Sequence, residues 1–216
     1  MGHLTITTFV SIDEDNDRLV LTVDKPSFKY LDFFLRLKCG PRLLASRFYP
    51  NSKELSETIG VFDNARIHFS LDFKDPGIAA VVVGDGHVPR TGLYIEALTA
   101  WMVHSVDPEM AARMEEIRPH IEKRQRLVVH PATIESCQID LTGFHTTVLF
   151  FVHSHASLKS SLRALKNAAT VHAVSLPCCN LDDLGIAPTH TDEDKHILSV
   201  HRMLHYYKNI PLTTER

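Results

Sequence analysis

Apolar residues along this chain change their spacing at Asp75-Pro76-Gly77. Upstream, Thr5 to Ile12 and Arg18 to Val23 are β-branched runs on either side of the acidic, turn-forming segment Asp13 to Asp17, a pattern that predicts a hairpin. Phe28, Leu31, Phe34, Leu35 and Leu37 recur at helical spacing within Ser27 to Leu44, and Cys39-Gly40-Pro41 breaks the pattern. Leu55, Ile59, Phe62 and Ile67 predict a second helix over Ser52 to Phe69.

Downstream, Ile78 to Val83 is a continuous apolar run ending in glycine, as expected of a parallel strand buried on both faces. A helix is predicted from Thr91 to Trp101, a strand from Met102 to Val106, a helix from Pro108 to Lys123 and a strand from Arg126 to His130. Thr146 to His153 reads as a strand, Leu158 to Ala168 as a helix and Val171 to Leu176 as a strand. Lys195 to Lys208 is ambiguous, with a closing antiparallel hairpin suiting Met203 to Tyr207, and the acidic run Asp192-Glu193-Asp194 reads as a solvated loop. The alternation implies an α/β fold: a Rossmann-like, doubly wound, mostly parallel sheet with helices on both faces and a small N-terminal hairpin and helical extension. No linker-like stretch separates residues 1–50 from the core at 51–216, so one domain over 1–216 is expected.

Composition narrows the function classes. With 44% hydrophobic and 23% charged residues the chain has an ordinary globular balance, which argues against disorder and against a membrane span. A net charge of -3 gives no global attraction to nucleic acid. The four cysteines include the adjacent pair Cys178-Cys179 and lack the spacing of a disulfide scaffold, so a cytoplasmic protein is expected.

In a doubly wound sheet, ligands bind outside the carboxyl ends of the strands where the strand order reverses. The unusual residues fall at predicted strand ends: Gly84-Asp85-Gly86, Asp107, His153-Ser154-His155 and Pro177-Cys178-Cys179. Glycine after a strand admits a ligand close to the backbone, and an acid at the next strand end can accept hydrogen bonds from a ribose diol. Asp107 follows Gly86 by 21 positions, near the ~20-residue offset expected of that acid. Asp85 or Thr91 can equally cap the next helix, and Asp107 before Pro108 has the form of an N-cap with proline at the first helical position. Arg90 suits an anionic ligand group near a helix start, or a salt bridge. Trp101 reads as core.

The segment VVVGDGHVPRTG, followed by a helix and HSVDP, resembles the glycine loop and second-strand acid of class I S-adenosylmethionine methyltransferases. VHSHASLKSSLRAL with VSLPCCN is similar to the fourth and fifth strands of methyltransferase-like proteins. The resemblance implies S-adenosylmethionine as cofactor, with Gly84, Asp85, Gly86, Arg90 and Asp107 on the cofactor side and an unidentified methyl acceptor. It departs from the family at His87-Val88-Pro89-Arg90, where a further glycine is usual, and lacks the Asn/Asp-Pro-Pro-aromatic signature at the fourth strand, where His153 and His155 stand.

Among the 14 histidines, His153 and His155 alternate onto one side of an extended backbone, and either could act as general base toward an acceptor because imidazole titrates near working pH. With Cys178 and Cys179 they could instead bind zinc, although the spacing matches no zinc signature and no metal is expected. Two rival readings are a degenerate methyltransferase fold that serves as a binding or assembly module, and a metal-dependent hydrolase.

Overall fold

The computed structural model describes residues 7–13, 18–24, 28–178 and 185–212. β1 (Thr7–Asp13) and β2 (Arg18–Asp24) pair antiparallel as the expected hairpin, with Val10 opposite Leu21. Three helices follow, α1 (Lys29–Arg36), α2 (Gly40–Ala45) and α3 (Ser52–His68). The pattern over 27–44 is therefore two helices. Pro41 lies in the first turn of α2, where its missing N–H costs nothing, so the Cys39-Gly40-Pro41 break also opens a helix. Asn51 caps α3, its side-chain oxygen accepting the Glu54 N–H at 2.9 Å.

The rest of the chain alternates: β3 (Ile78–Val83), α4 (Arg90–Leu98), β4 (Met102–Val106), a 3-10 turn over Pro108–Arg113 running into α5 (Met114–Ile121), and β5 (Leu127–His130). Then come β6 (Ile139–Asp140), β7 (Thr146–Val152), α6 (Leu158–Ala164), β8 (Leu165–Lys166), β9 (Thr170–Leu176), β10 (His190–Glu193) and β11 (Met203–Tyr207). Seven strands form the main sheet in the order β10-β11-β9-β7-β3-β4-β5. β3, β4, β5, β7 and β9 are parallel, and β11 runs antiparallel to both of its neighbours. The architecture is α/β, Rossmann-like and doubly wound.

Local departures from the sequence pattern have local causes. α4 stops at Leu98 because Thr99 turns back on it, its hydroxyl donating to the Ile95 carbonyl at 2.8 Å. Trp101 thus lies beyond the helix, fully buried, with its indole N–H donating to the Asp72 carbonyl at 2.9 Å. α6 ends at Ala164 because Leu165 and Lys166 pair with β6. The acidic run expected as a solvated loop ends an edge strand instead: Asp192 and Glu193 belong to exposed β10, a charged edge that discourages pairing with other chains. Asp194 is buried and accepts from the Tyr30 hydroxyl and from the Asn64 amide, tying α1 and α3 to the β10–β11 connection.

Two apolar layers flank the sheet. Ala80 and Val82 of β3 pack with Leu93 and Ile95 of α4, Ile59 of α3 and Phe34 of α1; Ala79, Val81 and Val83 pack with Leu158 and Ala164 of α6. The chain therefore leaves β3 toward one face and β7 toward the other. The two connections diverge and open a crevice at the carboxyl ends of these neighbouring strands.

Candidate functional site

That crevice is a cleft of about 660 Å³ lined from the ends of β3, β4 and β7 and from the segment after β5. It lies in the size range of small-molecule and cofactor sites. Gly84, Asp85, Gly86, Arg90, Asp107, His153 and His155 all line it, so the structure brings the sequence-derived candidates together.

The wall built from β3 and β4 is held by its own backbone. Gly84 and Gly86 have φ of +75° and +81°, a conformation that favours glycine. A side chain on Gly84 would collide with Ser154, its Cβ falling 2.5 Å from the hydroxyl, so this glycine lets the ends of β3 and β7 close together. At Gly86 a Cβ would have nothing within 4 Å, and its backbone is bare toward the cleft. Asp107 fixes that bare turn: one carboxylate oxygen accepts the Gly86 N–H at 2.9 Å, and the other caps the following turn through the Glu109 N–H at 2.8 Å. Two bonds leave lone pairs on both oxygens for a ligand hydroxyl.

Asp85 turns inward and is buried. It accepts from the Thr91 and Gly92 amides at 2.8 and 2.9 Å and from the Ser105 hydroxyl at 2.7 Å, which makes it the anchor of the α4 N-terminus. Burial pushes its carboxyl up to about 6, against the pull of those three hydrogen bonds and of Arg90. Arg90 is likewise engaged, donating from Nε to the Phe48 carbonyl at 2.7 Å and from Nη1 to Glu54 at 2.5 Å. Gly92 does the packing work of the missing loop glycine: a Cβ there would sit 2.9 Å from that of Ser105, so the glycine lets α4 lie close on β4.

The opposite wall, after β7, has different chemistry. His153 follows the strand with φ of +54°, rare for a residue with a side chain, and its N–H donates to the Leu176 carbonyl at 2.9 Å. Its Nε2 lies 2.8 Å from Oε1 of Glu57, a carboxylate of α3 only 1% exposed that also pairs with Lys53 at 3.0 Å. Burial pushes the Glu57 carboxyl up, but His153 and Lys53 outweigh it and hold it below the usual carboxylate range. The Nδ1 atom of His153 is buried and without a hydrogen-bond partner, a state shared among the described side chains only with the Thr147 hydroxyl in β7. His155 is exposed, its Nε2 3.5 Å from the Cys178 sulfur. Cys179 lies outside the described residues, and among those described no three potential ligands converge on a metal position.

No protein-family model matches the chain, and no curated protein matches it in sequence. Its fold has counterparts among solved structures. A mutant of MtNAS in complex with S-adenosylmethionine is 12% identical with a TM-score of 0.49, over 85% of this chain and 72% of that one. A SAM dependent methyltransferase from Aquifex aeolicus is 15% identical with a TM-score of 0.44, over 71% of this chain and 93% of that one. Geranyl diphosphate methyltransferase in complex with GPP and sinefungin is 14% identical with a TM-score of 0.38, over 52% and 44%.

Sequence reasoning missed Glu57, Glu54, Ser105 and Gly92. Gly92 carried a readable signal, a third glycine shortly after Gly84 and Gly86 and inside the predicted helix start. Glu57 carried none, since its partner lies 96 positions away.

Proposed function

We propose that this chain binds S-adenosylmethionine in the switch-point cleft and is a methyltransferase-like protein. In this reading Gly84 and Gly86 lie against the methionine part, Asp107 accepts from the ribose diol, and the His153 wall receives a methyl acceptor. The carrying observation is Gly86, a positive-φ glycine whose bare backbone faces the cleft while its N–H is held by the acid of the adjacent strand. The sheet order supports the same reading, because β4 and β7 flank β3 and so place the glycine turn and the acid of the next strand together at the switch point. Asp85 and Arg90 serve by holding the α4 N-terminus and the Phe48–Glu54 segment in place. A cytoplasmic setting accords with the cysteine pattern, and no described helix is long and apolar enough to cross a membrane.

When bound, the cofactor supplies a methyl group on a positively charged sulfur, open to displacement by a nucleophile. The chain's own contribution is to orient donor and acceptor and to exclude water, effects that supply much of the rate of such a displacement. A binding module without turnover is the second reading. The engagement of Asp85 and Arg90 with the chain itself favours it.

Calorimetric titration with S-adenosylmethionine and S-adenosylhomocysteine tests the proposal. Both should bind the wild type, and Gly86→Ala should bind each at least tenfold more weakly, since its methyl enters the cleft and its φ is strained. Silence in both wild-type titrations, or equal affinity in wild type and a folded variant, overturns the assignment.

A further inference from the structure

We propose that the outer face of α1 and α2 binds the surface of an anionic lipid bilayer, its cations meeting the headgroups while its leucines and phenylalanines enter the acyl boundary. The inference stands apart from the cleft and from any cofactor bound there.

α1 is apolar on two sides. Tyr30 and Phe34, four positions apart, are buried and belong to the same apolar layer as Leu43 of α2, so the exposed residues of both helices face away from that layer. Phe28, at the helix start, and Leu35 lie seven positions apart, two helical turns, on another side of α1. They are 50% and 73% exposed, and Phe33 of α1 and Leu44 of α2 are 45% and 48% exposed. Single exposed apolar residues are ordinary, but a local group of them marks an interaction surface. Four of the nine large apolar side chains exposed among the described residues fall within the seventeen positions from Phe28 to Leu44.

The same stretch is cationic. From Phe28 to Phe48 five cations stand against one acid, Asp32, in a chain whose net charge is -3. At physiological salt, charges more than about 8 Å away are largely screened, so a docked surface feels the local excess and not the total. Elsewhere Arg66, Arg113, Arg124 and Arg202 each pair with a carboxylate. Arg36, Lys38, Arg42 and Arg47 are exposed and have no ion pair among the described residues. α1 has eight residues, about 12 Å of helix, so its cations and its apolar side chains share one small area. Exposed Phe and Leu beside unpaired Lys and Arg is the chemistry of attachment to an anionic membrane surface.

The aliphatic members decide the partner. Phenylalanine stacks on a nucleic acid base as readily as it enters lipid, but leucine offers a base no ring, and Leu35 is the most exposed of the four. Symmetry disfavours a second copy, since a two-fold contact sets the same cations against themselves.

Co-sedimentation of the full chain with vesicles tests the proposal. Partition onto phosphatidylcholine vesicles containing about one third phosphatidylserine should exceed partition onto phosphatidylcholine alone by about tenfold or more, and about 0.5 M sodium chloride should remove most of the difference. Each cation near an anionic surface contributes about fivefold, so Arg36→Gln with Arg42→Gln should weaken binding by about tenfold or more and flatten its salt dependence. Leu35→Gln should weaken binding by about threefold and leave the salt dependence as it was. All three residues are exposed, so thermal unfolding of the variants should match the wild type. Equal partition onto the two kinds of vesicle, or a folded double variant that binds as the wild type does, overturns the proposal. Retention of a single-stranded oligonucleotide in place of vesicles, or self-association that Leu35→Gln abolishes, overturns it too and gives the face to nucleic acid or to a second copy.

Discussion

On the β3–β4 wall of the cleft, every carboxylate oxygen of Asp85 and Asp107 accepts a hydrogen bond from the chain itself. On the β7 wall, His153 keeps a buried nitrogen that no described group meets, and His155 stands in solvent. The first wall spends its charged side chains on shaping a backbone, and what it offers a ligand is the bare turn at Gly86. The second uses α3 and a strained residue to hold one imidazole, which Glu57 ties down through Nε2. If the contrast holds, damage to the first wall should appear chiefly as lost stability or lost binding, and damage to the tip of the second should cost little of either.

The largest effect is expected from Asp85→Ala. It strands two buried amides and a hydroxyl, each costing about 1 to 3 kcal/mol when left unmatched, so a loss of about 3 to 5 kcal/mol is expected at pH 4 by urea denaturation. The pH dependence follows from the raised carboxyl. Its folded value of about 6 exceeds the unfolded value of about 3.9, so between these the folded protein holds more protons than the unfolded chain. The contribution of Asp85 is therefore full below about pH 4 and declines as the pH rises through about 6. The gap between wild type and variant should narrow by about 2 to 3 kcal/mol from pH 4 to pH 7. A gap that widens over this range would mean that the three hydrogen bonds outweigh burial.

The same division explains what was legible in the sequence. Gly84-Asp85-Gly86 after an apolar run, and Asp107 before Pro108, are local signals: chain direction, φ requirement and cap are all written within a few residues. The strand–helix alternation beyond residue 77 was readable for the same reason. Glu57 was not, because α3 looks one-sided in sequence yet is buried on several sides. The β10–β11 connection presses Ile197 against it at Gly60, where a Cβ would lie 2.5 Å from the isoleucine side chain. The role of Asp194 was hidden likewise, since its partners Tyr30 and Asn64 are brought to it only by the folded sheet.

Asp107→Asn gives an intermediate effect that separates capping from ligand binding. Asparagine keeps only one accepting oxygen, so either the Gly86 or the Glu109 amide loses its partner, and stability should fall by about 1 to 3 kcal/mol. The charge that strengthens a hydrogen bond from ribose is lost, and affinity for S-adenosylmethionine should drop by about 1 to 2 kcal/mol in calorimetry. Unchanged affinity would assign Asp107 wholly to the Gly86 turn and the Glu109 cap, and would extend the self-engaged character of this wall to its last polar group.

The smallest effect is expected at His155, and it is the sharpest test of how the second wall is divided. His153 and His155 are neighbours in sequence and both line the cleft, yet only His153 is tied to a buried carboxylate. His155 is exposed, and its Nε2 lies 3.5 Å from the Cys178 sulfur. A surface substitution of this kind usually changes stability by no more than about 0.5 kcal/mol. His155→Ala should stay within that range and bind S-adenosylmethionine within twofold of the wild type. His153→Ala should cost about 1 to 3 kcal/mol, because Glu57 loses one of its two partners in a buried setting. Thermal and urea unfolding of the two variants side by side decide the matter. Equal losses would mean that the β7 wall is held through its whole length, as the β3–β4 wall is; a loss confined to His153 locates the tie that holds this wall in the Glu57–His153 pair.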